Sequence, residues 1–575
     1  MSRCDRSPED PAYTHVSTLS DLQERITNAA KTGQKIRVRG AMHSACDAIL
    51  TDPGAAGASM LYLDGELATV GMHPTDPHVV RVGGGMRLGA DPDEDVAEQD
   101  SLLYWLANRS PAWSVPDLGG ITHQSVGGFL STGSSGGSLR YSFEQAIRGF
   151  TFVDGTGQAH AVSNMPGDDL YAALGVSMGL LGVITSVDIE PVPRFAIKGQ
   201  ESTTDIDKAA FDLFEPGPGG LEAFLRANDY CRIMWWPQPR VNKLVTWTAQ
   251  RIPLEAGFIP KPYRELGDSD ENPRSYPPEL WNTLVPRLVM AVAADWRALL
   301  SLFEAHRAEL PGVMTEFIEQ LAEAIVKEGA EGVRKVLESG TNEEIQEVGV
   351  DLYFSLLGNR QSNPLATRLF EGIFGGETEW EETWSPLIND KIFLIDDADK
   401  VVPGPQLFHD YGDTGLPMDD QISDLLMPTE FTELWIPIEY TAQTMKLLAK
   451  HYQQGYAATG TYACELYAAK ASDFWLSPAS GGDVIRVDLF WFGRNGDMTA
   501  PQFYQQFWDL LEANGIPFRP HWGKYIPSPT APFGPSYYAR VYPRLADFLD
   551  LRATMDPKEV FVTGYWRSQL GIARS

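Results

Sequence analysis

Cysteine is scarce in this chain. Its 575 residues hold four (Cys4, Cys46, Cys231 and Cys464), scattered and with no CxxC pair. That argues against a structural zinc site and makes a disulfide framework improbable for so long a chain. Basic residues are in deficit too: 46 Lys plus Arg against 77 Asp plus Glu, a net charge of -31. Such a surface repels nucleic acid and anionic membranes, so neither is an expected partner. No apolar run approaches the ~20 residues that span a bilayer. The N-terminus MSRCDRSPEDPAYTHVSTL lacks the apolar stretch of a signal peptide. Repeats and low-complexity tracts are also missing. The expectation is a cytoplasmic protein acting on a neutral or weakly charged small molecule.

What is present describes a globular protein, with 43% hydrophobic and 21% charged residues. The length exceeds one ordinary core, so two or three compact units are expected. LSDLQERITNAAKT (19–32) reads as an amphipathic helix stopped by Gly33, followed by a short strand, KIRVRG. PHVVRVGGG (77–85) reads as a strand ending in glycines, GFTFVDGTGQAHAV (149–162) as a hairpin, and GVITSVDIEPV (182–192) as a strand. The texture changes near 195–220, 284–340 is strongly helical, and strand patterns return at 431–440, 461–469 and 484–492. Many short strands with few helices suggest α+β architecture.

GGGMRLG (83–89) imitates a dinucleotide loop, but no βαβ unit surrounds it, so nicotinamide binding is rejected. The informative signal is joint. RVRGAMHS (37–44) is followed by DLGGITHQSVGGFLSTGSSGGS (117–138) and then by VSMGLLGVITSVDIE (176–190). A Gly-bearing turn after a strand exposes successive N–H groups to an anion such as a diphosphate. Glycine and serine let the chain lie close against a flat cofactor, since no side chain intervenes.

In order and spacing these segments resemble the vanillyl-alcohol-oxidase/p-cresol-methylhydroxylase family of FAD enzymes, over roughly residues 14–195. HWGK (521–524) and ELY…DFWLSP (465–478) resemble the aldonolactone and alditol oxidase branch, over roughly 430–530. The stretch 200–425 resembles nothing placed. The resemblance implies FAD bound covalently through His43, a histidine in the position that joins the flavin C8-methyl. It implies further cofactor contacts at Arg39, Gly40, Ala41, Met42, Ser44, Gly119, Ser125, Gly128, Ser131, Thr132, Gly133, Ser135, Gly179, Gly182, Val183, Ile184 and His521. Some relatives add a cysteinyl bond. Cys46 lies three residues from His43 and no cysteine sits in a second suitable motif, so single attachment is expected.

For the reaction, the resemblance makes Lys524 the catalytic or charge-stabilising group. His521 and Trp522 pack and position its segment. Glu465 and Tyr467 alternate on one strand, and Arg486, Asp488 and Phe490 on the next, so antiparallel pairing gathers them over the flavin. Where the family has Glu-x-Arg, this chain has Glu465-Leu466-Tyr467. Asp488 and Ser135 stand where alditol-type relatives have histidines. Arg486 is the candidate replacement cation.

The fold expected is an α+β, two-domain covalent-flavoprotein fold. It comprises an FAD-binding domain at 10–195 and a substrate or cap domain at 196–515. The latter is an antiparallel sheet with flanking helices and a helical insertion at about 284–345. A C-terminal segment, 516–575, returns to the FAD domain. The function expected is an FAD-dependent oxidase taking hydride from a CH–OH group of a small-molecule alcohol, with dioxygen reduced to hydrogen peroxide and no metal involved. The aromatics of RIMWWPQP (232–239), Trp281 and Trp296 keep a type II cholesterol oxidase-like enzyme, for sterols or bulky alcohols, as an alternative. A dehydrogenase, a non-oxidative flavin enzyme and a non-catalytic binding protein on the same fold are the others.

Overall fold

The computed structural model describes residues 13–52, 58–90, 97–263, 353–392, 405–418 and 428–573. Within the expected insertion it describes only Arg287, Glu323, Lys327, Gly332 and Lys335, each helical; Cys4, Trp281 and Trp296 lie outside the described residues.

The N-terminal part holds two small sheets. The first is parallel, β1 (Tyr13–Val16) and β2 (Ile36–Arg39) flanking β3 (Ser59–Leu63). The expected helix Leu19–Thr32 forms with those bounds, because the Thr18 side chain accepts from Asp21 N–H and Gly33 takes the left-handed conformation, φ 73°. Its buried residues Leu22, Ile26 and Ala29 line one helical face. The second sheet is antiparallel. It joins β4 (Val70–Met72), β5 (Val80–Gly83), β7 (Ile147–Val153), β8 (Ala159–Ser163) and β9 (Val183–Ile189) in the order β4-β5-β9-β7-β8. Strand β6 (Trp113–Ser114) pairs β10 (Val192–Pro193).

The rest of the chain is organised by one eight-stranded sheet, order β14-β11-β13-β12-β16-β17-β15-β18. Its strands are β11 (Phe195–Asp205), β12 (Tyr230–Trp236), β13 (Lys243–Pro253), β14 (Gln406–Tyr411), β15 (Thr429–Pro437), β16 (Cys464–Ala469), β17 (Val484–Phe492) and β18 (Arg519–Pro520). Every neighbouring pair of them runs antiparallel. One face carries two amphipathic helices, Thr441–Tyr452 and Ala500–Ala513. Trp235 meets Tyr452 at 5.2 Å, Trp491 stacks on Phe503 at 4.4 Å, and Trp508 Nε1 donates to Thr432 Oγ1 at 3.3 Å. Alternation along the strands sends the other residues to the opposite face, which meets the N-terminal part. Gly137 is there because a Cβ on it would lie 2.4 Å from the Cys231 carbonyl and 2.8 Å from the Tyr467 ring.

The chain's end closes on its beginning. Ile36 N–H donates to the Val560 carbonyl at 2.9 Å, and Gly564 N–H to Asp52 Oδ2 at 2.8 Å. Among the described residues no helix is long and apolar enough to cross a membrane. Cys231 and Cys464 are free and buried, whereas Cys46 is disulfide-bonded.

Candidate active site

A cleft enclosing about 1160 Å³ of empty space, its open mouth included, runs between the two small sheets and the loop 521–524. Its walls come from Ile36–Ser44, Gly84–Gly85, Gln124–Thr132 with Ser134, Met178–Ile184 and His521–Lys524, not every residue of each stretch facing in. Arg39, Gly40, Ala41, Met42, His43, Ser44, Ser125, Gly128, Ser131, Thr132, Gly179, Gly182, Val183, Ile184 and His521 all line it, as does Lys524. Gly119, Gly133 and Ser135 do not. Gly133 and Ser135 face a second, smaller cavity beside Trp435 and Glu144, and Gly119 packs near Phe129. Ser134, between Gly133 and Ser135, lines both cavities, so the boundary between the two runs through this segment.

The lining also contains Tyr62, Gly84, Gly85, Gln124, Phe561 and Trp566, none of them expected from sequence. Gly84 and Gly85 belong to the stretch rejected as a dinucleotide loop; they serve as cleft wall at the end of β5.

Among the described residues, none lining the cleft is acidic, although the chain's net charge is -31. Arg37, Arg39 and Lys524 line it instead. Arg37 is buried and tied to carbonyls of Ala48 and Met178 at 2.9 and 2.8 Å. The turn carrying His43 packs so tightly that a Cβ on Gly40 would stand 2.2 Å from Ser125 Oγ. Met42 adopts φ 65°, which costs a non-glycine residue roughly 1–2 kcal/mol. Strain of this kind collects where function dictates geometry. A cradle of close-packed turns, cationic and free of carboxylates among the described residues, fits a flavin dinucleotide with its diphosphate.

Beyond His521 and Lys524 the cleft meets the large sheet. The register places Glu465 opposite Asp488, and Asp488 opposite Glu433. The adjacent row is Tyr467, Arg486 and Trp435. All six are buried, so this face is an interior rather than a solvated surface. Arg486 donates from Nη2 to Asp488 Oδ2 at 2.9 Å and to Glu433 Oε2 at 3.3 Å. Its Nη1 donates to the Ser135 carbonyl at 2.8 Å, and its guanidinium lies 4.7 Å from the Trp435 ring and 4.8 Å from Tyr467. Arg232 is the residue sequence reasoning missed. Its Nη2 lies 3.2 Å from Glu201 Oε2 and its Nε 3.8 Å from Glu465 Oε1. The cation absent at position 467 is therefore matched by guanidinium groups from β12 and β17.

The HWGK loop rides along β15: His521 N–H donates to the Glu433 carbonyl at 3.1 Å, and Ala45 N–H to the Gly523 carbonyl at 2.8 Å. The second bond locks the loop to the His43 turn. Trp522 is buried among Tyr538, Tyr542 and Trp566. Lys524 Nζ sits 3.8 Å over the Phe431 ring and 4.0 Å from Glu433 Oε1. His521 Nδ1 accepts from Gly523 N–H at 3.1 Å, which assigns the proton to Nε2, facing Ser134 Oγ at 3.2 Å.

Charge decides the protonation states. Burial pushes Asp488 up to about 8, with the Glu433 charge adding to it and Arg486 opposing. Burial would also raise Glu433, but His521, Arg486 and Lys524 outweigh it and hold Glu433 near 2. Burial pulls His521 down to about 4 against the attraction of Glu433. Near pH 7 His521 is then neutral, so Arg486 and Lys524 keep Glu433 ionised while Asp488 retains its proton. Asp117, buried behind Gly136, is likewise raised well above the usual carboxylate range by burial. No group of metal-ligating side chains occurs among the described residues.

Comparison with known proteins agrees with this geometry. Residues 11–163 match the FAD binding domain family, and residues 422–569 match the D-arabinono-1,4-lactone oxidase family. A D-arabinono-1,4-lactone oxidase of Kluyveromyces lactis is 24% identical over 250 residues, 42% of this chain and 42% of that one. An L-gulono-1,4-lactone dehydrogenase of Mycobacterium tuberculosis is 27% identical over 263 residues, 45% of this chain and 54% of that one. The chain thus spans less than two thirds of the length of these relatives. A cholesterol oxidase structure from Brevibacterium sterolicum shares the fold, with TM-score 0.61 over 97% of this chain and 94% of that one, at 14% identity. The N-terminal match is to an FAD binding domain. The C-terminal match and these relatives make the chain similar to aldonolactone oxidases.

Proposed function

We propose that this chain is an FAD-dependent oxidase acting on a CH–OH carbon, with the flavin joined to His43 and dioxygen as electron acceptor. The observation that carries the reading is a cationic cleft in a strongly acidic chain, lined by no carboxylate among the described residues, which runs from the His43 turn to Lys524. Bound there, the flavin would supply hydride acceptance and its return to dioxygen. The chain's residues do the rest. Lys524 presents a positive charge where negative charge develops on oxidation, and Phe431 and Glu433 hold its ammonium in place. Glu465, braced by Arg232, is the carboxylate offered to the substrate hydroxyl proton. Asp488 accepts from Arg486 through Oδ2, which fixes its direction, and its protonated oxygen is the one left to donate.

Acid precipitation of the pure protein tests the cofactor claim. A yellow pellet, fluorescent on a denaturing gel, is expected. A white pellet with free FAD in the supernatant contradicts the bond to His43, and a colourless protein contradicts the whole reading.

A second reading, an oxidase of a bulky apolar alcohol, draws on the next stretch of the same sheet face. Trp236, Met234, Ala463, Val245 and Val241 form an apolar cluster beside Glu465. Phe431 and Phe490 extend this surface with rings 5.3 Å apart. Comparing kcat/KM for sugar lactones, alditols and sterols decides between the two.

A further inference from the structure

Two imidazoles meet behind the cleft. The His43 and His123 rings lie 4.3 Å apart between centroids, tilted by 40°. Both are buried, with 6% and 1% of their surface exposed. His43 lines the cleft and His123 does not, so His123 stands on the side of His43 remote from the cofactor's place. Its position is fixed by backbone: Arg87 Nη1 donates to the His123 carbonyl at 3.2 Å, and Leu88 N–H to the Gln124 carbonyl at 2.9 Å. The role assigned above to Lys524, Glu465, Arg486 and Asp488 makes no use of this second histidine.

We propose that His123 is a positioning residue for flavin attachment: it orients the His43 ring and receives its proton as the covalent bond forms. The inference rests on the reading of His43 as the attachment point. Joining a methyl carbon to an imidazole nitrogen exchanges one C–H and one N–H bond for one C–N bond. Two electrons and two protons are released. Dioxygen, the acceptor of the proposed reaction, takes both electrons and with two protons becomes hydrogen peroxide, so atoms and electrons balance. An imidazole attacks only through a nitrogen carrying a lone pair, and bond formation leaves it cationic until the proton on its other nitrogen departs. A second imidazole in ring contact can serve as that acceptor, and burial denies the proton a direct exit to water.

The test is the rate of covalent incorporation, read as the mass of the denatured chain plus one FAD less two hydrogens and as flavin fluorescence on a denaturing gel. His123→Ala and His123→Asn are expected to bind FAD as the unmodified chain does, measured as flavin released by acid. Attachment is expected to slow by about 100-fold, the usual worth of a positioned base. Added imidazole is expected to restore attachment in His123→Ala, and pyrazole, a ring of the same size but far weaker base, is not. Attachment at the unmodified rate in either variant overturns the proposal while leaving His43 as attachment point. Equal rescue by pyrazole also overturns it, since filling space would then suffice. An unmodified chain with no covalent flavin fails at the earlier step, the reading of His43 itself.

Discussion

Glu433 on β15 and Asp488 on β17 stand directly opposite one another, and a single guanidinium, that of Arg486, bonds to both. Two buried carboxylates beside one shared cation do not both ionise easily. Glu433, also near Lys524, keeps the charge, and Asp488 keeps the proton.

This division predicts a pH dependence of stability. Asp488 titrates at about 8 in the folded chain and at about 3.9 when unfolded. Between those values the folded chain binds more protons, so this group's contribution falls as pH rises through the window. His521, lowered to about 4 from about 6.5, acts oppositely: its contribution is complete above 6.5 and lost as pH falls. From about pH 6.5 to 8 only the Asp488 slope remains of the two. Asp488→Asn is expected to flatten the decline in Tm over that interval. An unchanged slope would place the proton elsewhere.

Arg232 is the second point of leverage. Removing it as Arg232→Met leaves Glu201 and Glu465 without this guanidinium in a buried setting. A loss of about 3–5 kcal/mol of unfolding free energy is expected, the scale for breaking a buried ion pair. Denaturant titration measures it, and a change under about 1 kcal/mol would show that the pair is not what braces Glu465.

How much of this was legible in the sequence depended on alternation. Glu465 with Tyr467 and Arg486 with Asp488 read as two polar stripes because apolar residues separate them, and the register follows from their pairing. Arg232 was hidden in YCRIMWW, a run buried on both faces, where a charged residue leaves no periodic trace and its partner Glu201 comes from another strand. The glycines at 84 and 85 were legible as a turn but not as cleft wall, since only tertiary packing beside β9 gives them that place. Ser135 and Gly133 share a motif with true cleft residues, so sequence groups them together, though in the fold they line the smaller cavity beside Trp435.

The tightness of the His43 turn yields another expectation. In Gly40→Ala the new methyl would displace Ser125 Oγ, which accepts from Gly128 N–H at 3.3 Å. Loss of that cap costs about 0.5–2 kcal/mol, and flavin content of the purified protein should fall more steeply than its Tm. Unaltered flavin content would mean that the two segments do not form the cofactor's cradle.

Lys524 separates binding from turnover. Lys524→Met keeps the aliphatic stem and removes the ammonium that faces Phe431 and Glu433. Covalent flavin is expected to persist while the substrate-driven reduction rate falls by about 10²–10⁴. Stopped-flow absorbance reads both, and a rate within threefold of the unmodified chain, about 0.7 kcal/mol, would remove Lys524 from the reaction.

The proposed oxidation of a CH–OH group at one cofactor cleft and one buried polar sheet face is read in the visible spectrum of the anaerobic protein, with lactones, alditols, sterols and secondary aromatic alcohols added in turn. Flavin bands are expected to bleach with at least one of these classes, then return in air with one hydrogen peroxide formed per flavin. A protein without flavin bands, or one whose bands bleach with a CH–OH substrate yet fail to return in air, would contradict it.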